Sequence, residues 1–137
     1  MSMTTTLAPP LVIGDEQLEL ALFLAHAYLE YGQAAKANVM LHALQAAGVG
    51  GARVRVLRAL ALVRLNHAGQ ALAVLDETAL RGELPLGYHL VRAQALALSG
   101  RNREAADAYQ AFLHAPGSTA AADAGARPLH QRRVTQE

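Results

Sequence analysis

Ala37, Ala71 and Ala105 stand 34 residues apart, and two further columns keep the same step. Ala25, Ala59 and Ala93 form one, and the turn residues Gly32, Asn66 and Gly100 form the other. Self-similarity at this period marks a supersecondary unit that cannot bury its apolar face alone and stacks on copies of itself. The spacing therefore predicts one helical hairpin repeated three times, and it points towards a protein that binds other proteins.

Composition is consistent with that reading. A chain of 137 residues is one domain, large enough to bury a core without staples. Hydrophobic residues reach 53% but aromatics only 4%, so the core must be built from Leu, Val and Ala. That mixture suits helices packed closely through small side chains, and no strand-like run of β-branched residues competes with them. The absence of cysteine excludes disulfides and thiolate metal sites and fits a reducing compartment. A formal net charge of +1 gives no bulk attraction to nucleic acid. No apolar run approaches the ~20 residues that span a bilayer. Residues 1–14 lack the basic start and clean apolar stretch of a secretory leader. A cytoplasmic location is expected.

Residues 1–14 are rich in Thr and Pro, with Pro9 and Pro10 opposing helix, and are expected to form a flexible N-terminal arm. Asp15 is the expected N-cap of a helix running to about Tyr31, with Leu18, Leu22, Ala25 and Leu29 along one stripe. Gly32 closes it, since glycine tolerates the left-handed conformation just past a helix end. A second helix over 34–46 stops at Gly48–Gly51. The pattern then recurs with helices over 52–65 and 69–80, and again over 86–98 and 102–114. Pro116 and Gly117 end the body, which spans 15–117, and 118–137 is expected to be a flexible C-terminal tail.

The alanine columns have a physical meaning. They fall where the two helices of a hairpin approach closely, so a larger side chain would cost about 1–3 kcal/mol in overpacking. Leu41, Leu75 and Tyr109 follow four residues after the second alanine and are expected to fill the gap towards the next unit. The units read Leu24-Ala25-x-x-Tyr28, Arg58-Ala59-x-x-Leu62 and Arg92-Ala93-x-x-Leu96 on their first helices. Their second helices read Ala37-x-x-x-Leu41, Ala71-x-x-x-Leu75 and Ala105-x-x-x-Tyr109, the last followed by Phe112 and Pro116. Over residues 18–117 this resembles the tetratricopeptide repeat, whose core is Leu-Gly-x-x-Tyr followed by Ala-x-x-x-Phe. The resemblance implies an all-α fold, three tetratricopeptide-like hairpins stacked as a short right-handed superhelix, an α-solenoid. Arg58 and Arg92 depart from the pattern where it has Leu, Asn66 replaces a turn glycine, and Thr78 stands in the column of Leu44 and Phe112.

In stacked hairpins the first helix of each unit lines the concave side. By register that lining comprises Glu19, Leu22, His26 and Leu29 from the first unit. The second supplies Arg53, Val56, Leu60, Val63 and Arg64, and the third supplies Leu90, Gln94 and Ala97. Such a groove is apolar along its floor and suits an amphipathic helix or an extended apolar segment of another protein. Its alternative occupant is the chain's own arm. Left empty it would invite aggregation, so a bound partner or a homodimer is expected.

Sites for chemistry are hard to find. The chain holds no Gly-x-x-x-x-Gly-Lys-Ser/Thr motif, and Gly48–Gly51 lacks the spacing of a dinucleotide loop. The six histidines show no i, i+4 pair on one helix, so no metal is expected. None of the three serines sits in a nucleophile elbow. Arg53, Arg55 and Arg58 are read as a solvated basic face. The chain is expected to be no enzyme and to need no cofactor.

The segment Arg92–Arg101 leading into Glu104–Leu113 has an Arg-Ala-Gln start and an Ala-Tyr-Gln-x-Phe-Leu end. Together with Leu24–Leu44, it is similar to the repeats of type III secretion chaperones of the YscY (SctY) kind. What this resemblance implies is a non-catalytic cytosolic chaperone that holds a small secreted protein of the YscX (SctX) type and helps bring it to the export gate. The alternatives are a tetratricopeptide chaperone for translocator or needle subunits, and a general protein–protein adaptor unrelated to secretion.

Overall fold

The computed structural model describes residues 13–115. Most of the expected arm, together with Pro116, Gly117 and the expected tail, lies outside the described residues. Six helices follow one another: α1 (Asp15–Glu30), α2 (Ala34–Ala46), α3 (Gly51–Arg64), α4 (Ala68–Leu80), α5 (Tyr88–Leu98) and α6 (Asn102–His114). The described residues hold no strand, so the fold is all-helical. None of these helices is long and apolar enough to cross a membrane.

The first helix starts one residue earlier than its sequence suggests. Gly14, not Asp15, is the N-cap, and its N–H donates to Gln17 Oε1 at 2.7 Å. A Gln at the third helical position reaching back to the cap satisfies an otherwise orphaned donor. Asp15 and Glu16 then fall in the first turn, where carboxylates oppose the positive end of the helix dipole.

The 34-residue step reappears in the backbone hydrogen bonds. Gln33, His67 and Arg101 donate their N–H groups to the carbonyls of Tyr28, Leu62 and Leu96 at 2.7, 2.8 and 2.9 Å. Gly32, Asn66 and Gly100 donate to Leu29, Val63 and Ala97. These paired bonds form a Schellman ending, which caps the last carbonyls of α1, α3 and α5 alike. It requires a left-handed residue, and φ is 72°, 66° and 80° at the three turn positions. Asn66 is the non-glycine that adopts this region among the described residues, as its short polar side chain permits.

Each helix packs against the next in chain order, and α1 also touches α3 while α3 touches α5. The first members of successive pairs thus lie side by side. Ala25, Ala37, Ala59 and Ala71 are fully buried in these contacts, and Ala93 and Ala105 nearly so. Leu22, Leu29, Leu41, Val54 and Leu57 build the core between α1, α2 and α3. Val56, Leu62, Leu75, Tyr88 and Val91 build the next, between α3, α4 and α5. Leu60 packs on both and joins them.

Tyr109 departs from its expected role. Leu41 and Leu75 have no exposed surface, whereas Tyr109 is 46% exposed. A gap-filling side chain needs a following unit, and α6 is the last helix of the described residues. Its ring instead lies 6.2 Å from that of Phe112.

Candidate binding groove

Because α1, α3 and α5 lie side by side, they frame an open groove of about 700 Å³, closed at the far side by the loop Pro85–Gly87. Its lining follows the repeat. Leu22, Val56 and Leu90 form one column, and Phe23, Leu57 and Val91 the adjacent one. His26 and Leu60 extend it towards the helix C-termini. Helical periodicity explains the pairing of columns, since residues three and four apart fall on one face.

At one end Glu19 and Arg53 meet. These residues also stand one repeat apart, and Arg53 Nη1 and Nη2 donate to the Glu19 carboxylate at 2.8 and 3.0 Å. The guanidinium's hydrogen bonds hold the Glu19 carboxyl below the usual carboxylate range, and the carboxylate in turn raises Arg53. Gly87 occupies the equivalent position in the third unit and brings no charge. The two ionised groups cancel, which leaves the groove apolar and close to neutral.

Seven sequence-predicted residues line the groove: Glu19, Leu22, His26, Arg53, Val56, Leu60 and Leu90. The other five do not. Leu29 is buried in the first core, and Val63 packs against the second. Arg64 lies alongside, donating from Nη1 to the Leu29 carbonyl at 3.3 Å. Gln94 and Ala97 are exposed on α5 outside the groove. For Leu29, Val63 and Ala97 the physical reason is depth along the helices: the groove reaches as far as His26 and Leu60, and this column belongs to the last turns.

Phe23, Leu57, Val91 and the loop residues Pro85, Leu86 and Gly87 complete the lining without having been singled out from sequence. The first three share the 34-residue step, so the signal existed. The sequence pattern places Leu86 and Gly87 at the start of a helix, but α5 begins at Tyr88, two positions later. Gly87 adopts a left-handed φ of 93° before it, which frees Pro85 and Leu86 to form a wall. Phe23 and Leu86 are large apolar side chains left 70% and 60% exposed by the described residues.

The three arginines of α3 are not one solvated face. Arg53 is exposed and paired with Glu19. Arg55 is buried, with Nε donating to Thr78 Oγ1 at 3.2 Å and Nη2 to Glu83 at 2.8 Å. Arg58 donates to Asn38 Oδ1 and Gln45 Oε1 at 3.2 and 3.1 Å and ties α3 to α2. A second hollow, polar and of about 670 Å³, lies beside Arg55. Its charges are spent on one another, Arg55 on Glu83 and Arg81 on Glu77.

Tyr88 and His89 open α5 with their rings edge to face, 5.1 Å apart. Burial raises the Tyr88 hydroxyl above its ordinary value. Burial, and then the nearby positive charge of Arg92, pushes His89 below the usual imidazole range. Among the described residues no group of three or more His, Asp or Glu side chains could hold a metal ion. What the groove offers is therefore apolar area, worth roughly 25 cal/mol for each Å² removed from water, with a neutral ion pair at one end. Comparison of the chain with family models, curated proteins and solved structures returns no match.

Proposed function

We propose that the chain is a non-catalytic binding protein that holds an apolar segment of another protein in the groove between α1, α3 and α5. The observation that carries this reading is the pairing of exposed Phe23 and Leu86 across a neutral, apolar floor built from two columns of the repeat. Exposed apolar patches rimmed by polar groups mark interaction sites, because leaving them wet costs free energy and promotes aggregation.

In its finer form the proposal is a three-unit tetratricopeptide solenoid, coiled as a right-handed superhelix, that serves as a cytoplasmic type III secretion chaperone of the YscY (SctY) kind. Its client would be a small secreted protein of the YscX (SctX) type, delivered to the export gate. The period-34 turns and alanine columns support the repeat assignment. The resemblance of Arg92–Leu113 and of Leu24–Leu44 supports the secretion assignment.

The test is co-expression of the tagged full chain with a small secreted protein of that type, followed by gel filtration. Co-elution at fixed stoichiometry, lost in Phe23→Glu, supports the proposal. Phe23 suits this test better than Val56, which is buried in the second core, or Leu60, which bridges both cores. A charge at either of those would disturb folding as well as binding. Co-elution undiminished by Phe23→Glu would move the client elsewhere on the surface.

A further inference from the structure

Resting on the groove assignment above, we infer that residues 1–12 of the same chain occupy the groove when no partner is present, as an intramolecular stand-in that a client must displace. Three observations converge on this segment.

The first is where the folded body begins. Gly14 caps α1, and Ile13 packs against the core to which Leu22 and Leu57 belong. Both leucines also line the groove. The chain therefore enters at the start of α1, the end of the groove where Glu19 and Arg53 pair.

The second is reach. Lining residues of α1 run from Glu19 to His26, about 10 Å along the helix axis. Three helices side by side at ordinary spacing are about 20 Å across from first to last axis. A segment the length of residues 1–12 spans up to about 40 Å when extended, enough to cross α3 and arrive at Leu86 and Leu90.

The third is chemical complementarity. Residues 1–12 carry no charged side chain, and Leu7, Leu11 and Val12 supply apolar anchors around Pro9-Pro10. Two consecutive prolines disfavour helix and favour an extended backbone with little entropy left to lose on docking. The groove is likewise uncharged in sum and apolar. A strongly charged segment would leave its ions desolvated there.

The experiment uses the full chain with one substitution, Thr5→Cys, which creates a single cysteine in a sequence that has none. A nitroxide attached there broadens the nuclear resonance signals of nearby amides. The expected result is selective loss of amide signal at Phe23, Leu60, Leu86 and Leu90, with Leu80 on α4 unaffected. Adding Leu7→Glu and Leu11→Glu to the labelled chain should restore those signals. Loss confined to other faces, or no selective loss, would overturn the inference. So would equal loss in a mixture of spin-labelled chain with isotopically enriched chain lacking the label, because a second copy would then be the occupant. No client enters this experiment, so its failure leaves the client reading standing. Failure of co-elution, in turn, leaves the intramolecular result intact.

Discussion

Arg55 in α3 donates its Nε–H to the hydroxyl of Thr78 in α4 across 3.2 Å, with both side chains buried. The same hydroxyl donates onward to the Val74 carbonyl at 2.9 Å. At its outer end the guanidinium meets Glu83, which is largely exposed, at 2.8 Å. A buried cation is thus hydrogen-bonded inside and neutralised outside. Glu83 belongs to the loop that continues into Pro85 and Leu86, so the pair links α3 and α4 to the segment that walls the groove.

Removing the hydroxyl while keeping its shape isolates the inner bond. Thr78→Val is expected to destabilise the fold by about 1–3 kcal/mol, because the Arg55 Nε–H is left buried without an acceptor. Urea unfolding of variant and parent checks this. No loss of stability would mean that Arg55 finds another acceptor at no cost.

The turns give a second test. Gly32 has open space where a Cβ would sit, so the cost of Gly32→Ala is backbone strain alone, about 1–2 kcal/mol. Asn66→Gly at the equivalent position is expected to change stability by less than about 0.5 kcal/mol, since asparagine already tolerates the left-handed region. Thermal denaturation of the two variants should separate them clearly.

Ala59 has no exposed surface, and a larger side chain there must separate α3 from its neighbours. Ala59→Leu is expected to cost about 1–3 kcal/mol by overpacking. Measured by denaturant midpoint, the loss should exceed that of Ala47→Leu at an exposed position.

Among the described residues Glu19, Glu104 and His89 all have lowered values and act on the dependence on acidity in the same direction, Glu104 through its hydrogen bonds from Arg101. Glu19 has its folded pKa lowered, chiefly by the Arg53 hydrogen bond, so the unfolded chain takes up the proton first as pH falls. Its contribution is present above the ordinary carboxylate value and is lost as pH falls through the folded one. His89 is also lowered, chiefly by burial, so its neutral form belongs to the fold. Stability should fall as pH drops below the ordinary imidazole value of 6.5. Unfolding midpoints followed against pH should lose the upper step in His89→Gln and show a smaller lower one in Glu19→Gln, the remainder belonging to Glu104.

Much of this architecture can be read from residue spacing. The alanine columns name the close helix contacts because only a small side chain permits them. The column Gly32, Asn66 and Gly100 names the turns because each must be left-handed. The groove was half legible. Columns at 22 and 19 led to it, while the parallel column Phe23, Leu57 and Val91 was passed over, although it shares the same step. The stripe was also carried too far along the helices, to Leu29, Val63 and Ala97, because repeat register says nothing about where a groove ends.

Arg55 was illegible for a different reason. Three arginines within six positions resemble a solvated face, and only the packing of Thr78 opposite one of them reveals a buried donor. Thr78 is the one polar residue in its column, between Leu44 and Phe112. Its exchange partner lies 23 residues away on another helix, beyond any local pattern.

The most direct test of the groove as a client site is co-elution of the tagged full chain with a small secreted protein of the proposed type, measured for three chains in parallel. The parent and Leu80→Glu, altered at a position 88% exposed on α4, should retain the client. Phe23→Glu should lose it while keeping the parent's helical content. Retention by Phe23→Glu, or loss by Leu80→Glu alone, would contradict the account.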